Sequence, residues 1–137
     1  MPLFPRTAKC DPARFAPLPA RLGPTTDPEI RAVIDLVVNA TVSPPAGQVL
    51  ALTLKLRRFL HERVPRIREV ADRLLPVDDP RRLAAEKCAD EATYRVWYVK
   101  PAGGLEAEFR YCLGLARIAE ELLDHQCRLA QGTASQP

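Results

Sequence analysis

The chain of 137 residues contains one tryptophan, one methionine, two histidines and six glycines, and each scarcity removes a class of chemistry. With only His61 and His125, no HExxH metalloprotease pattern can be written. The paired Glu-x-x-His motifs of a di-iron bundle are missing too. No glycine loop suited to phosphate and no GxSxG nucleophile elbow occurs. The cysteines, Cys10, Cys88, Cys112 and Cys127, are widely separated and form no CxxC, so reduced thiols in a cytoplasmic protein are the expectation. The longest uncharged stretch, Leu36 to Leu54, holds Asn39, Ser43, two prolines and Gly47, and is read as a junction of two helices rather than a membrane span. Residues 1–26 lack an apolar run of signal-peptide length. A net charge of +3 is too small to imply a nucleic-acid partner by itself.

What the chain does have is helix punctuation. Asp27-Pro28, Ser43-Pro44 and Asp79-Pro80 each set a capping side chain before a proline, and Pro101-Ala102-Gly103-Gly104 interrupts the chain once more. Thr26 with Glu29 has the spacing of a capping box. Between these marks apolar residues recur with helical period. Helix one is predicted over about 28–39, with Ile30, Val33, Ile34 and Val37 on its inner face. Helix two is predicted over about 45–75, carrying Val49, Leu52, Leu56, Phe59, Leu60, Ile67, Val70 and Leu74. Pro65 should kink or split it. Helix three, about 80–99, has a stripe of small side chains at Ala84, Cys88, Ala92, Val96 and Val99. Helix four, about 105–129, is apolar on both sides and therefore predicted to be central. The expected architecture is an all-α, up-down antiparallel helical bundle of three long helices and a short N-terminal helix over residues 27–131. A proline-rich extended or disordered arm (1–26, six of the fourteen prolines) and a disordered tail (132–137) flank it.

Several stretches resemble an actinobacterial family of small helical proteins of unknown function, found mostly in streptomycetes and often labelled "natural product biosynthesis protein". They are Leu52-Thr53-Leu54-Lys55-Leu56-Arg57, Pro65, Asp78-Asp79-Pro80-Arg81, Glu91-Ala92, Leu115-Ala116-Arg117 and Asp124-His125. The resemblance implies a helical fold and an actinobacterial source, and it brings no catalytic residues with it. The Tyr94–Tyr98 segment is aromatic where the family tends to be arginine-rich.

The candidate functional residues follow from charge and aromaticity. Seven basic residues stand against three acidic ones between Lys55 and Arg73, and Arg57, Arg58, Arg66 and Arg68 form a candidate basic face. The competing reading pairs helix two with the acidic helices three and four inside one bundle, and it is preferred. Glu121 and His125 are an i, i+4 pair, but no zinc pattern surrounds them, and Asp124-His125 is read as surface hydrogen bonding. No metal ligand, cofactor or catalytic residue is assigned. Tyr94, Trp97 and Tyr98 share one side of helix three with Leu83, roughly opposite its small stripe, and Tyr111 is expected near Tyr94. The competing reading, that these aromatics form a core face covered by the arm or helix one, is preferred, and a groove shared by the arm and a partner would satisfy both. The leading expectation is a non-catalytic accessory or regulatory protein that binds a protein partner, itself included, through these aromatics. The second is a small-molecule binder or enzyme of natural-product biosynthesis, with a pocket between the aromatic end of helix three and helix four, lined by Trp97, Tyr94 and Tyr111. Nucleic-acid binding through helix two is the weakest reading.

Overall fold

The computed structural model describes residues 25–134, with side chains through residue 131. Four helices and no strand occur among the described residues: α1 (Asp27–Val38), α2 (Ala46–Leu74), α3 (Pro80–Tyr98) and α4 (Leu105–Ala134). The expected arm lies outside the described residues except for Thr25 and Thr26. No helix among those described is long and apolar enough to cross a membrane.

Local chemistry starts the helices. The Thr26 hydroxyl accepts from the Glu29 N–H at 3.3 Å, and the Glu29 carboxylate accepts from the Thr26 N–H at 3.0 Å, which completes the capping box. Asp27 is therefore not the cap; its carboxylate is turned toward α2 and α4. Asp79 caps α3 by accepting from the Arg81 N–H at 2.8 Å. Ser43 does not cap α2. Its hydroxyl donates to the Pro44 carbonyl, and the helix starts only after Pro45, because a residue preceding proline is pushed toward extended backbone. Gly104, at φ +105°, supplies the left-handed turn that launches α4.

Pro65 does not split α2, which is one helix through it. The ring sits on the exposed side and displaces no core side chain, so its costs are the missing N–H and its crowding of the His61 carbonyl one turn back. The inner face of α2 matches the predicted stripe from Val49 to Ile67, while Val70 is half-buried and Leu74 exposed. The small stripe of α3 is shifted: Ala85, Cys88, Ala89, Ala92 and Val96 are buried, and Ala84, predicted on it, is exposed. Adjacent alanines carry no information on which one turns inward. Helix α4 packs against all three other helices, as its two-sided apolar pattern predicts, and it runs beyond Leu129 to Ala134. Phe59, Leu56, Leu60, Leu115, Leu122 and Leu123 form the largest wholly buried side chains of the shared core. Each such side chain contributes roughly 1.5–3 kcal/mol by leaving water.

Candidate functional site

Three regions bring chemistry-bearing side chains together. The first is an aromatic groove between α2 and α3. Tyr94, Trp97 and Tyr98 are 59%, 58% and 75% exposed, so among the described residues this side of α3 faces outward and is not the covered core face that the sequence reading preferred. Tyr94 and Tyr98 stack one turn apart, with centroids at 6.0 Å. Trp97 leans across to α2 and meets the His61 ring edge-on at 5.5 Å. Beneath this pair lies an open groove of about 290 Å³ whose walls include His61, Val64, Pro65, Arg68, Val96 and Trp97. Leu50 and Leu54, both exposed, continue the His61 side of α2 at helical spacing. Leu83, at 53% exposure, lies three turns before Tyr94 on α3.

The end of α3 is held from both sides. Arg57 of α2 donates to the Val96 carbonyl at 3.0 Å, and the Tyr111 hydroxyl of α4 donates to the Arg95 carbonyl at 3.0 Å. These carbonyls belong to the last turn, where a helix has no N–H donors of its own to spare. Tyr111 is thus buried and structural, and the predicted pocket of Trp97, Tyr94 and Tyr111 toward α4 is replaced by a groove toward α2.

The candidate basic face is largely engaged within the molecule. Arg68 pairs with Asp90 of α3 at 2.9 Å, Arg58 with Glu62 at 3.3 Å, and Arg57 is committed to the α3 carbonyl. Burial lowers the affinity of Arg66 for its proton, against the raising influence of Asp27, Glu62 and Glu69. The reading in which α2 pairs with its acidic neighbours accounts for Arg68 directly.

The second region spans α3 and α4. Glu121 and His125 occupy successive turns of one face of α4, and Cys88 faces them from α3. One ligand atom from each, Sγ, a carboxylate oxygen and an imidazole nitrogen, lies within 4.8 Å of the others. Cys88 and His125 are buried, at 3% and 8% exposure, and Glu121 is exposed. His125 therefore does not form the surface hydrogen bonding predicted for Asp124-His125, and among the described residues no hydrogen bond satisfies its ring. The Cys88 thiol is pushed up to about 12, first by burial and then by its hydrogen bond to Glu121 and that carboxylate's charge. It is not a thiolate nucleophile at neutral pH. Burial also pushes up the Cys112 thiol, while Cys127 is exposed. A pocket of about 180 Å³ opens beside His125, walled by Pro80, Arg81, Ala84, Arg128 and Leu129.

A third cluster, one residue along α4, shows what a completed polar network looks like. Arg63 of α2 reaches Asp27 of α1 at 2.8 Å and Gln126 of α4 at 2.7 Å, and Gln126 donates to Asp27 at 3.0 Å. The guanidinium also lies 4.8 Å from the Phe59 ring centroid. Burial pulls the Arg63 pKa down, and Asp27 opposes it. Arg63 was legible: it falls four residues after Phe59 and four before Ile67, on the apolar face of α2. The Cys88 contact had no such local signal.

No curated protein and no solved structure matches the chain. Residues 28–131, from Pro28 in α1 to Gln131 in the last turn of α4, match a family model, and the chain belongs to the Family of unknown function (DUF6415).

Proposed function

We propose that this protein is a non-catalytic accessory module that docks a protein partner on the aromatic groove between α2 and α3. The observation that carries the reading is the exposure of Tyr94, Trp97 and Tyr98 together, beside an open groove and the exposed Leu50 and Leu54. Contiguous exposed aromatic surface of this kind is what binding anchors are built from. The occupant that fits is an amphipathic helix. Its apolar face would meet Trp97 and Val64, which wall the groove. Pro65 adds direction to the groove, since it has no N–H to give the His61 carbonyl. The scaffold under this reading is an up-down antiparallel bundle. In its support, Arg57, Arg68 and Arg82 reach Val96, Asp90 and Asp72, so partner numbers fall on one helix as they rise on the other. The pathway-level form of the proposal is a cytoplasmic accessory of natural-product biosynthesis, in which the pathway follows the label often attached to the family the sequence resembles and the compartment follows the scattered cysteines.

The test uses the fact that Trp97 is the sole tryptophan. A partner captured by the wild-type protein but not by Trp97→Ala is purified and titrated while Trp97 emission is followed. The expected result is a blue shift on binding and a loss of roughly thirtyfold in affinity in the variant, the scale of a ~2 kcal/mol hot spot. Equal affinity of wild type and variant, with no change in emission, refutes the groove as the docking face. Self-association abolished by Trp97→Ala would make the partner a second copy.

A further inference from the structure

We propose that Cys88, Glu121 and His125 form a binding site for a divalent transition-metal ion of the zinc class. The Cys88 Sγ, a Glu121 carboxylate oxygen and a His125 ring nitrogen would be the three protein ligands. The fourth position would open toward the pocket at Pro80 and Arg81.

Three observations converge on it. The donor set is one sulfur, one nitrogen and one oxygen, the mixture that zinc accepts and that hard cations do not select. The side chains come from two helices and converge to within 4.8 Å. Bond lengths of about 2.3 Å to sulfur and about 2.0 Å to nitrogen and oxygen put tetrahedral donors about 3.3–3.6 Å apart, so closure needs side-chain movements on the order of an ångström. Glu121, being exposed, is free to make the largest of them. Finally, His125 is more than nine-tenths buried, lines the pocket and has no hydrogen bond among the described residues. A buried imidazole normally finds a partner, and a metal ion is one.

The charges balance. Binding transfers the Cys88 thiol proton to solvent, and the thiolate together with the Glu121 carboxylate neutralises a dipositive ion, with His125 neutral. Arg81 does not oppose the ion as a bare charge, because Asp79 holds it at 3.0 Å. Arg128 at the pocket wall favours water-derived hydroxide or another anion as the fourth ligand.

Cobalt(II) is the probe. The full chain, with Cys10→Ser and Cys127→Ser to remove two other thiols, is stripped with chelator and titrated with cobalt(II). The expected result is one ion per chain, a thiolate-to-cobalt absorption band in the near ultraviolet, visible bands of tetrahedral intensity, and displacement by zinc(II). Cys88→Ala should abolish the near-ultraviolet band, and Glu121→Gln should weaken binding at least tenfold. Far-ultraviolet circular dichroism checks that both variants fold. Glu121→Gln changes an exposed side chain, so it keeps the test decisive should Cys88→Ala misfold. Absence of the band in the parent chain, its survival in Cys88→Ala, or equal affinity in Glu121→Gln overturns the proposal.

Discussion

His125 and Gln126 are neighbours on α4 and face different worlds. Gln126 looks toward α1 and α2 and completes a closed circuit with Arg63 and Asp27, in which the two charges are opposite and each of the three side chains bonds the other two. His125 looks toward α3 and shares its space with a neutral thiol and a carboxylate that leave its ring without a hydrogen bond among the described residues. The first cluster ties the short helix α1 to the long ones. The second leaves hydrogen-bonding capacity unspent beside a pocket. A polar group that is fully partnered explains itself as structure, and one that is not asks for a ligand.

The sharpest way to break the comparison is Asp27→Asn. It leaves a buried guanidinium without its carboxylate, and because Asp27 is 41% exposed the cost should fall somewhat below that of a fully buried pair, about 2–3 kcal/mol in urea unfolding. The open cluster should respond instead to alkali. Cys88 has its folded value raised from 9.0 to about 12, so the folded state holds a proton that the unfolded state has lost. Stability from this group is present below about pH 9 and falls as the pH rises toward 12, with a slope of about 1 kcal/mol per pH unit. Cys88→Ala should flatten that part of the curve. Gln126→Ala should cost about 1 kcal/mol, since Arg63 keeps Asp27 and loses one neutral acceptor. His125→Leu should cost the least. In metal-free protein it should be neutral or slightly stabilising, because it replaces an unpartnered buried polar group by an apolar one. A large loss there would show that His125 is already satisfied, and the contrast between the clusters would collapse.

The parts legible in the sequence were those written in local chemistry. The Thr26–Glu29 box, the Asp79 cap and the glycine turn before α4 each depend on residues within one helical turn. Ser43 failed as a cap because two prolines compete with it, and Ala84 failed as a core residue because Ala85 is its chemical twin. The outward aromatics could be placed from the wheel of α3, but the side on which their groove opens could not, since that depends on where α2 lies. For the Cys88 cluster, the Glu121–His125 spacing was visible. The thiol was not, because its arrival depends on the register of α3 against α4 and on no nearby residue.

The two bonds that hold the last turn of α3 have a consequence for association. Arg57 and Tyr111 anchor the carbonyls immediately beside Trp97 from opposite helices, so the aromatic end is pinned in its binding shape before any partner arrives. Conformational freedom that most helix ends surrender on contact has already been given up during folding, and a partner meeting Trp97 meets a preorganised template rather than a fraying terminus.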